Sequence, residues 1–269
     1  MRIGKKEFDT KNHCYVMGIL NVTPDSFSDG GRWNSYDTAM QHVEQMIKDG
    51  MDIVDIGGES TRPGYTEVSV EEEIERVAPM VRAIRKTFDI PISVDTYKSA
   101  VAKASLSEGA HMINDIWGFL RDDNMASVVK EYDAACVLMH NRENMMYTDF
   151  IPDVVRDLGK CIKACRSAGI EEEKIILDPG VGFAKTYEQN LSVLKHLKDF
   201  RVLGYPLLLG TSRKSVIGLS LDLPKGEREE GTLATTVLAV EAEYGFVRVH
   251  DVKKNKRAIL MAEAIKGAE

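Results

Sequence analysis

The chain has no run of about 18 apolar residues, the length a helix needs to cross a bilayer. Its opening stretch, MRIGKKEFDTKNHC, has no apolar core of the kind a secretion signal carries. These two absences set the expectation of a cytoplasmic protein with no membrane partner. Cysteine is sparse: Cys14, Cys136, Cys161 and Cys165 show none of the paired short spacings of a zinc site. Cys161 and Cys165 stand four apart on an expected helix, where buried free thiols are the simpler reading. Clusters of Lys and Arg are also missing, and the net charge is −7. Phosphate backbones are gripped mainly by clustered cations, so a general nucleic-acid binder is excluded, whereas one basic pocket for a small anion is not. No internal repeat, linker or low-complexity tract divides the sequence, and residues 1–269 read as one domain.

With 43% hydrophobic and 29% charged residues, the chain has material for a sizeable core. Eight short runs rich in Val and Ile recur: CYVMGILNV, DIVDIGG, PISVDT, HMINDIW, ACVLMH, KIILDPG, PLLLGTS and FVRVHD. Each is followed by a turn and then by a stretch with helical periodicity. Helices are expected at SYDTAMQHVEQMIKDG, with Ser35 as start and Gly50 as stop, and at SVEEEIERVAPMVRAIRKTF, where Ser69 and Glu72 have capping-box spacing. Others are expected at YKSAVAKASLSEGA, NMASVVKEYDA, DVVRDLGKCIKACRSAG, TYEQNLSVLKHLKDF, TLATTVLAVEAEYG and KKNKRAILMAEAIKG. Eight strand–helix units in a chain of this length fit a single α/β domain, a (β/α)8 TIM barrel. A doubly wound open sheet gives the same alternation and is the alternative. The first residues, RIGKKEF, read as a short strand or cap across the bottom of the barrel.

In such a barrel the chemistry lies where the strands end. Those ends carry Asn21, then GGESTRPG, Asp95, Asn114 with Asp115, His140, Asp178, GTSRKS, and finally Arg248 with His250. Each polar residue taken alone has a plain alternative as a helix cap or turn former. That alternative is weakest on FVRVHDV, where alternation puts Val247 and Val249 on one face and Arg248 and His250 on the other. A guanidinium and an imidazole buried together cost desolvation unless something anionic compensates them. The loops NVTPDSFSDGGRW and GGESTRPGY are too long for tight turns and read as segments that close over a ligand, the second offering Arg62 as an anion contact. DPGVGFAKT resembles a phosphate-cradling turn, but Lys185 stands where a dinucleotide fingerprint has its third glycine, and the Gly-Lys-Ser/Thr ending of a P-loop is absent. Arg62, Lys214, Arg248 and His250 suit a multiply charged oxyanion such as pyrophosphate. Asp95, Asn114 and Asp178 can accept from the N–H edge of a heterocycle. Residue types and spacing thus lead to a barrel enzyme acting on an anionic, nitrogen-rich small molecule.

The stretches GILNVTPDSFSDGG, DIVDIGGESTRPG, ISVDTYKS, INDIWG, ILDPGVGFAKT, GTSRKS and VRVHDV closely resemble the dihydropteroate synthase family, in order, from about Cys14 to the C-terminal helix. The resemblance implies a transferase of folate biosynthesis that joins 6-hydroxymethyl-7,8-dihydropterin diphosphate to 4-aminobenzoate, releasing pyrophosphate and forming 7,8-dihydropteroate. It further implies a homodimer, and competition by sulfonamides as mimics of aminobenzoate. Carried over residue by residue, the pterin pocket falls on Asp95, Asn114, Asp178 and Lys214. The diphosphate site falls on Arg248 and His250, with Thr61 and Arg62 reaching in from the second loop. Asn21 matches the contact to Mg²⁺, and Lys214 and Ser215 match the region that receives aminobenzoate, with Phe27 and Pro63 closing over its ring. Asp95 is expected near the pterin methylene, where positive charge grows, and Mg²⁺, Arg248, His250 and Arg62 are expected to stabilise the departing pyrophosphate. Two other readings share the pterin pocket. A methyltransferase passing a methyl group from methyltetrahydrofolate to a corrinoid protein has no diphosphate to hold, and so no use for NVTPDSFSDGG, STRPG and SRKS together. A non-catalytic pterin-binding paralogue is opposed by the intact Asp95, Lys214, Arg248 and His250.

Overall fold

The computed structural model describes residues 1–22, 32–59 and 67–268, the side chains of residues 32–35 excepted. Its first two strands, β1 (Arg2–Ile3) and β2 (Lys6–Glu7), pair antiparallel in a small hairpin. Then come β3 (Tyr15–Asn21), α1 (Arg32–Lys48), β4 (Ile53–Gly57), α2 (Val70–Thr87), β5 (Ile92–Asp95), α3 (Ser99–Ser107), β6 (Met112–Asp115) and α4 (Met125–Glu131). The second half runs β7 (Ala135–Met139), α5 (Phe150–Ser167), β8 (Ile175–Asp178), α6 (Tyr187–Lys195), β9 (Leu208–Leu209), α7 (Ser215–Leu221), α8 (Glu229–Glu241), β10 (Phe246–Val249) and α9 (Val252–Lys266).

The eight strands β3 to β10 are parallel, each beside its neighbour in sequence, and the first, β3, pairs with the last, β10. A parallel bridge between Leu177 and Leu207 joins the two ends of the ladder. An open doubly wound sheet would instead reverse its strand order at a switch point, so the architecture is the barrel. Period-2 alternation sends one set of side chains to the helices and the other into the barrel. The lower interior is filled by Met17, Ile53, Met112, Val137, Ile176, Leu208 and Phe246, and Ile3 and Phe8 from the N-terminal segment pack against them as a plug. The four cysteines are buried and unpaired, and no helix among the described residues is long and apolar enough to cross a membrane.

Several boundaries differ from the sequence expectation for local physical reasons. Helix α1 begins at Arg32, ahead of Ser35, because neither Gly nor Pro intervenes to stop it. Helix α5 begins at Phe150 rather than Asp153; Pro152 falls in its first turn, where a missing N–H costs nothing. Ser69 caps α2 by accepting from Glu72 N at 3.2 Å, but the Glu72 carboxylate turns to Arg76 four residues on, so only half of the capping box forms. A complete box forms instead at Thr186 and Gln189, starting α6. That helix ends at Lys195 and continues as a 3-10 segment, Leu197–Leu203, closed by Gly204 at φ 78°. The seventh unit carries two helices, since the seven-residue α7 precedes α8.

Candidate functional site

The strand register sets the site. Across the parallel ladder Asn21 pairs with Gly57, Gly57 with Asp95, and Asp95 with Asn114, so these residues form one row at the C-terminal rim. Asp178 ends β8, opposite Met139. Gly57 completes the row without a side chain: a Cβ there would sit 3.7 Å from Asn21 Oδ1 and 3.8 Å from Asp95 Cβ. Asn21 Oδ1 and Asp95 thus both border the space that Gly57 leaves open.

Beneath this row lies a buried cluster of charge. Arg248 donates from Nε to Asp55 Oδ2 and from Nη2 to Asp95 Oδ2, each at 2.6 Å. Asp55 Oδ2 also accepts from Asn114 Nδ2 at 3.2 Å. Two of the five guanidinium N–H groups are used on these carboxylates, leaving three for a ligand. Asp55 Oδ1 and Asp95 Oδ1 are buried and have no hydrogen-bond partner among the described residues, an arrangement that costs free energy unless a further group, ligand or ion supplies a donor. Burial pushes Asp95 up to about 7, with Arg248 opposing and Asp55 adding to the rise. Burial also works against the charge of Arg248, but Asp55 and Asp95 more than offset it and raise the group above its usual range.

A second acid and base, Asp178 and Lys214, stand near Arg248 and interact with it through their charges. Burial raises Asp178 above the usual carboxylate range, opposed by Lys214 and by the Gly180 N–H that donates to its Oδ1 at 2.7 Å. Burial lowers Lys214 to about 8, with Asp178 opposing. Gly210 lies between them: a Cβ there would meet Asp178 Oδ2 at 3.5 Å and Lys214 Nζ at 3.8 Å. Lys214 Nζ donates to Val181 O at 2.5 Å and lies 4.8 Å from the centroid of the Phe183 ring. His250 follows β10, and its Nδ1 lies 2.9 Å from Ser212 Oγ, which also accepts from His250 N at 3.2 Å. An apolar cluster of Tyr97, Ile116 and Met139, with Trp117 and Phe183 packed on it, adds a flat wall beside the polar groups.

Of the residues singled out in the sequence, Asp95, Asn114 and Arg248 share one hydrogen-bonded group through Asp55, and Asp178 and Lys214 lie together beside Gly210. Asn21 stands at the rim, and His250 is held by Ser212. Ser215 is exposed in the first turn of α7, with Lys214 at the N-cap position. Phe27, Thr61, Arg62 and Pro63 lie outside the described residues. The anion opposing Arg248 was expected to be substrate alone; two protein carboxylates already serve. Asp55 was missed because it sits inside IVDIG with apolar neighbours, although a lone inward acid two residues before Gly57 is a readable signal. Ser212 and Phe183 were also overlooked, within motifs already noted for other residues. Among the described residues no group of three or more His, Cys, Asp or Glu is placed to hold a metal.

A family model described as pterin binding enzyme matches residues 17–250. A curated relative, the dihydropteroate synthase of Clostridium beijerinckii, is 56% identical over 266 residues, covering 98% of this chain and 99% of the relative. Among solved structures, a dihydropteroate synthase from Clostridium difficile, crystallised in the presence of pteroic acid, superposes with a TM-score of 0.94 at 50% identity, covering 96% of this chain and 99% of that one. The Yersinia pestis dihydropteroate synthase in a sulfonamide drug complex gives a TM-score of 0.93 at 41% identity, covering 100% and 99%. With its barrel, its rim of inward polar groups and these whole-length matches, the chain belongs to the pterin-binding enzyme family, among the dihydropteroate synthases.

Proposed function

We propose that the barrel mouth joins 6-hydroxymethyl-7,8-dihydropterin diphosphate to 4-aminobenzoate and releases pyrophosphate, with the pterin edge read by Asp178 and Asn114 and the diphosphate held by Arg248 and His250. The observation that carries this division is the separation of charge: one cation sits between Asp55 and Asp95, the other beside Asp178. Asp178 can take the paired N–H donors of an aminopyrimidine edge, and Asn114 offers a donor and an acceptor. The cluster of Tyr97, Ile116 and Met139 supports a flat ring packed beside them. Lys214 and Ser215 bound the end of the mouth assigned to aminobenzoate, where Lys214 also lies over Phe183. Phe27 and Pro63 from the two loops complete that region in this reading. Sulfonamides would compete at the same end.

The reaction breaks the bond between the pterin methylene and the diphosphate oxygen, whose electron pair leaves with pyrophosphate. A bond then forms from the aminobenzoate nitrogen to the methylene, and that nitrogen loses a proton. Negative charge grows on the leaving oxygens, where the remaining Arg248 donors, His250, Arg62 and Thr61 would receive it. Positive charge grows on the methylene, and Asp95 Oδ1, unpartnered among the described residues, is the carboxylate atom assigned to face it. The family resemblance implies Mg²⁺ at Asn21. The donor chemistry fits, because this ion takes hard oxygen ligands, keeps several waters and binds substrate phosphates with few protein groups, and Asn21 Oδ1 borders the space beside Asp95 that Gly57 leaves open. When bound it would neutralise part of the diphosphate charge.

The same reading includes a homodimer working in the cytoplasm. What supports the dimer is a set of large apolar side chains left exposed on successive helices: Leu219 and Leu221 on α7, Val237 and Leu238 on α8, and Leu260, Met261 and Ile265 on α9. An apolar surface of this kind is covered in most stable assemblies.

Arg248→Ala should weaken binding of the pterin diphosphate roughly 10- to 100-fold, the loss expected for charged hydrogen bonds, while bare hydroxymethylpterin loses far less. Equal losses in calorimetric titrations would remove Arg248 from the diphosphate site. Asp95 acts as a carboxylate, and its raised value of about 7 means that it is protonated below that pH. The kcat/KM profile should therefore fall on the acid side of about 7, and Asp95→Asn should cost roughly 100-fold in kcat with pterin affinity little changed. An unchanged rate would take Asp95 out of the chemistry. Sedimentation equilibrium should give twice the 30.0 kDa of one chain; a single species at the chain mass would refute the dimer.

A further inference from the structure

Lys185 has no place in the chemistry above, yet it is one of the most enclosed amines in the molecule, 7% exposed. It lies in the turn between β8 and α6, and its ammonium donates to His140 Nδ1 at 2.8 Å, Gly180 O at 2.9 Å and Phe183 O at 3.0 Å. Three donors meet three acceptors. None of the three is a carboxylate; burial lowers Lys185 to about 7, with Asp178 and Asp157 opposing at longer range. Accepting at Nδ1 fixes the proton of His140 on Nε2, which faces Asp157 Oδ2 at 3.4 Å. Asp157 is held in turn by Arg142 Nε at 2.6 Å and Lys160 Nζ at 2.7 Å. Burial, and then the charge of Lys185, push His140 down to about 3, consistent with a neutral imidazole acting as acceptor.

The turn needs such a fastening. Gly180, Gly182 and Ala184 all have positive φ, at 70°, 87° and 46°, and α6 begins only at Tyr187. Its carbonyls have neither a strand nor a helix to receive them; the Phe183 N–H donates to Gly180 O at 3.2 Å, and side chains supply the other donors. Lys185 takes those of Gly180 and Phe183, Lys214 takes that of Val181, and the Tyr147 hydroxyl donates to Ala184 O at 2.8 Å. The turn starts at Asp178 and carries Phe183, the ring beneath Lys214. Gly180 lies so close to β7's end that a Cβ there would clash with the His140 carbonyl. One ammonium thus ties a strained turn, bearing one wall of the mouth, to the buried His140–Asp157 anchor.

We infer that Lys185 is a positioning residue for the pterin half of the site, its three hydrogen bonds holding the 179–186 turn so that Asp178, Phe183 and the carbonyl that receives Lys214 keep their register. This rests on the assignment of Asp178 to the pterin edge. The test is calorimetric titration of Lys185→Met and Asp178→Asn with 6-hydroxymethylpterin and, separately, with inorganic pyrophosphate plus Mg²⁺. Lys185→Met should weaken the pterin about tenfold, the size of one buried hydrogen bond lost, and leave pyrophosphate within about twofold. KM for the pterin diphosphate should rise while kcat changes little. Unchanged pterin affinity, or equal loss of both ligands as in a general loosening of the fold, overturns the inference. Asp178→Asn separates the two levels: if it weakens the pterin and Lys185→Met does not, the role of Lys185 fails alone, and if it also has no effect, the assignment of the pterin edge fails. Should Lys185→Met not fold, His140→Leu removes one acceptor at similar volume. It should show the same split, about threefold, and unchanged pterin affinity would again overturn the inference.

Discussion

Arg248 lies between two buried carboxylates, and the upper half of the barrel is organised around that sharing. A guanidinium held inside a sheet would be prohibitive without compensation. Asp55 and Asp95 supply it, one from a strand adjacent to the β3–β10 pair and one from the strand beyond. Two carboxylates on one cation leave a surplus of negative charge and two buried oxygens without donors among the described residues. The group is therefore stable enough to be built and unsatisfied enough to be receptive. The apolar layer below, closed by Ile3 and Phe8, keeps water from relieving it from underneath.

The second pair works on another principle. Asp178 and Lys214 are held by backbone: the carboxylate accepts from Gly180 N, and the ammonium donates to Val181 O. Both partners come from the same irregular turn. The rim row from Asn21 to Asn114 is set by strand register and is as rigid as the barrel. Asp178 itself ends β8 in register with Met139, but the groups that hold its carboxylate and Lys214 come from a turn with three residues at positive φ. The strand ends are positioned by ladder hydrogen bonds, and the turn beyond Asp178 by side chains that substitute for them.

The eight units were legible because each strand is a short apolar run ended by a polar residue or Gly, and the helices repeat at 3.6 residues. Pairing of β3 with β10 was legible only as a count, since alternation alone fits an open sheet equally well. Helix α7 escaped notice because seven residues with Gly218 inside carry too little periodicity to separate from a loop. The polar strand ends were readable because a polar residue after an apolar run stands out. Asp55 could be read as an inward acid, but its role could not, since that comes from Arg248, 193 positions away in the chain. Lys185 was noticed for what it displaces in a nucleotide motif, whereas its actual surroundings, His140 and two carbonyls, come from tertiary structure.

The charged groups of the mouth do their chemistry when the diphosphate bond breaks and the amine takes its place. The direct measurement is pyrophosphate release from 6-hydroxymethyl-7,8-dihydropterin diphosphate, followed with and without 4-aminobenzoate in the presence of Mg²⁺. Aminobenzoate-dependent release, matched mole for mole by 7,8-dihydropteroate, is the predicted result. Tight binding of the pterin diphosphate with no aminobenzoate-dependent product would contradict it.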